Sequence, residues 1–332
     1  MTRRSGVTLV EVLVAIFVMA IGLIALLTLF PIGMLRMMQA IRDERASECA
    51  YNADKISIIY NLRNDIGVVT DAGSPDYFAN PDPTTLPNAD PYAESYPLLV
   101  DPIGVKATFG LAQTWVGGSP AGKLRRRPVS FATTPAYIHR AFTLWDDINF
   151  DATGVPGTPL KSGAAVLRDS HYSWAYLLRR PQTSNPAVVD CSIIIFDQRS
   201  MTLNSTLSLE EYVYPDTAYF NQTSNTIAID YSAATAVPPP LRVGDWILDT
   251  TFVPDLKKRT GSAHAYFYRV VAADEFPGKL ARYEVQNPIR GSFVNTPMRP
   301  DPTDKNQMAF QGTAIVIRGI AEVIEKGPVR LP

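Results

Sequence analysis

The feature that most constrains this sequence is an uncharged, apolar run close to its N terminus. From Val12 to Leu35 there are 24 residues without a charged side chain. As a helix rising about 1.5 Å per residue, the run would be about 36 Å long, enough to cross a hydrocarbon layer of about 30 Å. Arg3 and Arg4 add to the positive charge of the amino terminus. Because positive flanks stay in the cytoplasm, the sequence predicts a membrane span with the chain after Arg36 on the opposite side.

Two ordinary explanations of this run leave some of its features unexplained. A secretory signal peptide has an apolar region of about 7–15 residues that ends in small residues, whereas this run is longer and ends in FPIGML at 30–35. A plain membrane anchor explains the apolar run but not Glu11, a lone acid at its edge. A carboxylate beside a membrane span is costly and therefore indicates a partner.

The residues on either side of Glu11 form a pattern with the basic leader. Residues 6–11 read GVTLVE, and they follow Arg3 and Arg4. This pattern resembles the processing site of type IV prepilins and type II secretion pseudopilins. The resemblance implies that prepilin peptidase cleaves after Gly6, which removes the leader 1–6, and that the new amine of Val7 is methylated.

The resemblance also implies a role for Glu11, which becomes the fifth residue of the mature chain. In the family this carboxylate meets the N-terminal amine of a neighbouring subunit inside the filament. An unpaired charge is costly in a low-dielectric helical bundle, so subunits stack in the register that pairs it. Residues 17–23, FVMAIGL, resemble the minor pilins called type IV pilus modification proteins and the similar minor pseudopilins.

The first 66 residues predict one long helix after the leader. We expect a transmembrane half at 7–35 and an amphipathic half at 36–66, where apolar residues recur at helical spacing. Pro31 and Gly33 predict a kink or local melting between the two halves, because proline removes a backbone donor and clashes with the preceding turn.

The rest of the chain predicts an α+β fold in which this helix packs on an antiparallel β-sheet. Residues 67–170 are rich in Pro, Asp and Asn and predict loops and irregular structure, with no central strand at 70–105. Residues 171–332 predict a β-rich domain that starts with a hairpin of strands at 171–180 and 187–197. Three further strands at 241–289, with turns at 244–245 and 277–278, indicate an additional β-subdomain at 238–292, and 313–324 predicts the final strand.

The chemistry-bearing residues favour no enzyme, cofactor or metal. Apolar residues make up 46% and charged residues 19% of the 332, and no nucleophile elbow, phosphate loop or zinc-peptidase motif occurs. Asp147, Asn149 and Asp151 have part of a calcium-loop pattern without its glycine and late glutamate, so a polar loop is the preferred interpretation. Cys49 and Cys191 are interpreted as buried thiols, and their pairing stays open.

Basic residues occur in clusters at 125–127, 179–180 and 257–259. Because the net charge is −1, we interpret them as solvated loops and strand ends, and we do not expect nucleic-acid binding.

These features together predict a structural subunit, minor pilin or pseudopilin-like, of a type IV pilus or type II secretion filament. Its expected partners are other pilin subunits, prepilin peptidase and inner-membrane lipid, with an external ligand that the sequence does not identify. The chain is expected in the inner membrane as a single-pass protein whose C-terminal domain is extracytoplasmic. A membrane-anchored adhesin or binding protein that never assembles is the alternative.

Overall fold

The computed structural model describes residues 9–62, 65, 97–107, 114–118, 120–122, 124–131, 138, 141–144, 172–179, 188–197, 199, 210–233, 236–255, 260–290 and 298–330. The chain divides into two compact units, Met1–Glu48 and Cys49–Pro332.

A single helix, α1, extends over Leu9–Ile59 and is 51 residues long. It ends before the predicted residue 66, because Asn61 adopts a left-handed backbone with φ of 45°, which stops the helical ladder. Pro31 and Gly33 both lie inside α1, and helical structure continues through them. The expected local melting is therefore not observed, and the kink stays a prediction.

The remaining elements are mostly strands. A short helix α2 covers Pro102–Ala107, and 3-10 turns cover Val116–Gly118 and Pro120–Gly122. The strands are β1 Leu98–Val100, β2 Thr114–Trp115, β3 Arg125–Arg127, β4 Tyr172–Arg179, β5 Val188–Asp197, β6 Glu211–Asn221, β7 Thr226–Asp230, β8 Trp246–Asp249, β9 Phe252–Asp255, β10 Thr260–Ala263, β11 Tyr266–Phe276, β12 Leu280–Val285, β13 Met298–Pro300, β14 Met308–Ile317 and β15 Ile320–Arg330.

Six of these strands form an open sheet in the order β15-β5-β4-β1-β3-β2. The predicted hairpin is confirmed as β4 and β5, which pair antiparallel from Tyr172 opposite Asp197 to Arg179 opposite Asp190. The sheet is not wholly antiparallel, because β1 and β3 run parallel. The expectation of irregular loops is wrong at β1, whose three residues are buried in the middle of the sheet between β4 and β3.

A second sheet closes into a barrel. Its strands follow the order β14-β6-β7-β12-β11-β8, β8 pairs back to β14, and β13 lies outside on β14. The predicted subdomain at 238–292 is therefore only part of a barrel whose strands begin at Glu211 and end at Ile317. The predicted final strand is two strands, since a turn with Gly319 at φ 81° sends β14 to the barrel and β15 to the open sheet.

Both faces of the open sheet are covered within the unit Cys49–Pro332. On one face the Tyr176 hydroxyl donates a 2.6 Å hydrogen bond to the carbonyl of Ala53 in α1. The opposite face packs against the barrel wall through one apolar cluster, whose members include Ala175, Leu177, Ile194, Phe196, Trp246, Phe267 and Ile315. Strands buried on both faces read as continuous apolar runs, which is the pattern of β4 and β5. The chain thus combines an N-terminal helix with a large β-rich body.

Candidate functional site

The acid that the sequence singles out lies at the start of the described helix. Glu11 is in the first described turn of α1, and its side chain is exposed. Its neighbours Val10 and Val12 are also exposed, at 67% and 48%. The helix therefore presents a charged group at one end of an apolar surface.

The apolar surface of α1 continues well beyond Glu11. Every side chain described between residues 9 and 44 is exposed. Four consecutive residues from Ile16 to Met19 are each more than 60% exposed, and at 100° per residue they cover most of the circumference. A helix that is apolar all round needs an apolar surrounding, either lipid or other helices.

The helices in the described part of the chain include none that is long and apolar enough to cross a membrane. The predicted membrane span therefore stays a prediction.

Several of the residues predicted from the sequence lie outside the described residues. These are the leader arginines Arg3 and Arg4, the processing residues Gly6 and Val7, and the acidic string from Asp147 to Asp151. The basic cluster at 257–259 also lies outside them.

The basic cluster at 125–127 does not have the environment that we expected. It forms strand β3, and Arg126 is 1% exposed, so the interpretation as a solvated loop is wrong there. The Arg126 guanidinium donates to Asp101 at 3.0 Å and also to Glu211. Arg199 adds a bidentate pair to Asp101, with distances of 2.7 and 2.6 Å.

This buried ionic cluster, Asp101, Arg126, Arg199 and Glu211, joins the open sheet to the barrel. Burial alone would raise the pKa of the Asp101 carboxyl, but Arg199 and Arg126 outweigh it and lower the pKa to about 2. Two arginines face two carboxylates, so each charge has a partner of opposite sign. Arg126 therefore links β3 to Glu211 of β6 inside the protein and is not part of a surface that could bind phosphate.

A second buried polar group lies in the barrel wall. The carboxylate of Asp249, at the end of β8, accepts hydrogen bonds from the backbone and hydroxyl of Thr251 at 2.9 and 2.5 Å. Its other oxygen accepts from Nδ1 of His264 at 2.6 Å. All three residues are buried, so they stabilise the strand end rather than face a substrate.

Sequence reasoning missed both buried clusters. Their acids and bases come from segments separated by 15 to 98 positions along the chain. Neither spacing nor composition marks such pairs, since each residue by itself is typical of a loop or a strand end.

The described chain combines a long N-terminal helix that carries Glu11 with a β-rich body. Residues 1–27 match the family model described as the prokaryotic N-terminal methylation motif. The chain therefore has the N terminus of a type IV prepilin- or pseudopilin-like protein, the kind that prepilin peptidase processes. No curated protein and no solved structure matches the chain.

Proposed function

We propose that this chain is a non-enzymatic subunit, minor pilin or pseudopilin-like, of a type IV pilus or a type II secretion filament. It enters the inner membrane as a precursor, loses residues 1–6 by cleavage after Gly6, and receives a methyl group on the amine of Val7. The mature subunit then leaves the lipid and packs against other subunits through α1. Its β-rich body stays on the extracytoplasmic side.

The match of residues 1–27 to the methylation motif carries this proposal. The exposed apolar surface of α1 supports it, because such a surface needs lipid before assembly and neighbouring helices afterwards. The uncharged run from Val12 to Leu35 has the length of a membrane span. In the filament the Glu11 carboxylate forms an ion pair with the protonated Val7 amine of a neighbouring subunit, and this pair sets the axial register.

The size of the body favours a minor, priming or tip position. The strands of the open sheet and the barrel lie between Leu98 and Arg330 of a chain of 332 residues. A body of this bulk packs poorly around every helix of a tight filament, whereas one subunit at the tip meets no such restriction. Residues 17–23 are similar to the minor pilins called type IV pilus modification proteins, which agrees with a minor position.

The deciding experiment is the intact mass of the protein recovered from membranes, with and without prepilin peptidase. We expect the loss of residues 1–6 and the gain of one methyl group on Val7, both dependent on the peptidase. A Gly6→Leu variant should keep its leader in cells that contain the peptidase, and a Gly22→Leu variant should be processed normally. An uncut N terminus, or a cut beyond Leu35, would refute the proposal and favour an anchored or secreted binding protein.

A further inference from the structure

The two thiols of the chain lie on facing elements of the same unit. Cys49 is in α1 and is fully buried, and Cys191 is in β5 and is 8% exposed. Both belong to the unit Cys49–Pro332. Their relative placement follows from the contacts of the residues next to them.

The helix face that carries Cys49 is the face that lies on the open sheet. Cys49 and Ala53 are four positions apart, so they lie one above the other on one side of α1. Ala53 is fully buried, and its carbonyl accepts the hydrogen bond from Tyr176. The thiol of Cys49 therefore faces β4 or a strand beside it.

The sheet face that carries Cys191 is the same face. Cys191 is paired with Leu178, which is two positions after Tyr176 in β4. Side chains two apart on a strand, and side chains directly opposite across a pair, share one face. Burial and the neighbouring Cys191 sulfur both raise the pKa of the Tyr176 hydroxyl, in agreement with this placement.

The direction of α1 relative to β4 follows from the aromatic residues beyond Ala53. Tyr60, past the end of α1, stacks on Phe131 at 4.2 Å, and Phe131 stacks on Phe142. Phe142 lies beside both Trp174 and Tyr176, with ring centroids 6.4 and 6.3 Å apart, and the next residue, Thr143, bridges to Ser173 near the start of β4. These contacts favour opposite directions for the helix and β4.

With opposite directions, the rise along the helix from Ala53 to Cys49 and the rise along the strand from Tyr176 to Leu178 are similar. From Ala53 back to Cys49 the helix moves about 6 Å, and from Tyr176 on to Leu178 the strand moves about 7 Å in the same direction. The two rises bring Cys49 towards the part of the sheet that holds Leu178 and Cys191. The neighbouring ion pair of Asp54 with Lys326, at 3.8 Å, links α1 to the strand β15 on the far side of β5.

We propose that Cys49 and Cys191 form an intramolecular disulfide that ties α1 to β5. The two thiols lose two electrons and two protons to an extracytoplasmic dithiol oxidase, whose own disulfide is reduced to two thiols as the S–S bond forms. The proposal relies on the proposed function only for the oxidising compartment. A covalent tie at this position would keep β5 packed against the part of α1 that carries Cys49.

The test is a count of alkylated thiols on the full chain recovered from membranes. The protein is denatured in N-ethylmaleimide with and without prior reduction, and its intact mass is measured. Without reduction we expect no adduct and, after digestion, one peptide pair that joins the two cysteines. After reduction we expect two adducts. Two adducts without reduction would overturn the disulfide. The same spectrum reports cleavage and methylation, so a processed chain with two adducts rejects the disulfide and leaves the proposed function standing.

A second experiment tests whether the two cysteines lie close enough to pair, independently of the compartment in which the protein folds. The detergent-solubilised full chain is reduced, then incubated in a buffer of reduced and oxidised glutathione. The wild-type chain should form the internal link, whereas a Cys191→Ser, Ser192→Cys double variant should form at least ten-fold less, because residue 192 points to the opposite face of β5. Mixed disulfides with glutathione only, or equal linking in both proteins, would overturn the proposal.

The thermal midpoint separates a covalent tie from simple packing. Cys49→Ala should lower the midpoint by roughly 5–15 °C under non-reducing conditions, as expected for a cross-link that closes a long loop. With reductant present, the midpoints of the variant and the wild type should nearly coincide. A difference of the same size in both conditions would show that Cys49 acts by packing alone, which contradicts the proposal.

Discussion

Replacing Asp101 with Asn tests whether the buried ionic cluster holds the open sheet and the barrel together. The change keeps the shape of the side chain and removes its charge, which leaves Arg126 and Arg199 buried against Glu211 alone. The pKa of Asp101 is lowered from 3.8 to about 2, which corresponds to about 2–3 kcal/mol of stability in the charged form. Removal of one partner from a buried pair generally costs about 3–5 kcal/mol. We therefore expect Asp101→Asn to lower the free energy of unfolding by about 3 kcal/mol.

The assay is urea unfolding of the detergent-solubilised full chain at pH 7, followed by tryptophan fluorescence. The matched control is Asp274→Asn, since Asp274 is 61% exposed and lies 3.9 Å from Arg282. An exposed pair of this kind contributes about 0–1 kcal/mol, so the control should be nearly neutral. Equal effects of the two substitutions would refute the argument that the cluster stabilises the joint.

The pH dependence gives the same argument an independent check. Because the folded-state pKa of Asp101 is depressed, its contribution to stability is fully present above about pH 4 and is lost as the pH falls towards 2. The wild-type protein and Asp101→Asn should therefore differ at pH 7 and converge as the pH approaches 2. A difference that stays constant down to pH 2 would show that the charge of Asp101 is not its cause.

Three further substitutions test the assembly segment and the barrel wall. Glu11→Gln should leave processing intact and lower the amount of the subunit in sheared filaments at least ten-fold. Glu48→Gln on the same helix should not lower this amount, and equal incorporation of the two variants would refute the role of the Glu11 carboxylate. Gly312→Ala would place a Cβ against the hydroxyl of Thr251 and should cost about 1–3 kcal/mol in urea unfolding; an unchanged midpoint would contradict the close approach. Asp249→Ala removes three hydrogen bonds from a buried site and should cost about 3 kcal/mol, with no loss of N-terminal processing.

The local elements that sequence reasoning found are those with strong short-range signals. The hairpin of β4 and β5 was predictable because two long apolar and aromatic runs are separated by a segment that contains two prolines. The turn between β11 and β12 was predictable because Gly278 can adopt the positive φ of 90° that the turn requires. Each of these signals lies within about ten residues of the element that it specifies.

The elements that sequence reasoning missed depend on partners far along the chain. Strand β1 has only three residues, between Pro97 and Pro102, and it exists because β4 and β3 flank it. The apolar residues at 313–324 predicted one strand, because hydrophobicity does not reveal that Gly319 turns the chain from the barrel to the open sheet. Arg126 was misjudged for the same reason, since its acids are 25 and 85 positions away.

The strand edges of the body bear on how such a subunit would assemble. The barrel closes through β8 and β14, and β13 lies outside it on β14. Among the described residues, β15 and β2 are the outer strands of the open sheet, and β9 and β10 form a separate two-stranded sheet. The outer strand β15 has two register shifts, exposed charges at Glu325 and Lys326, and Pro328 near its end. Bulges, charges and proline discourage pairing with another sheet. In the proposed filament, these features would discourage the bodies from pairing edge to edge. Assembly is then left to the exposed apolar helix, as the proposed function requires.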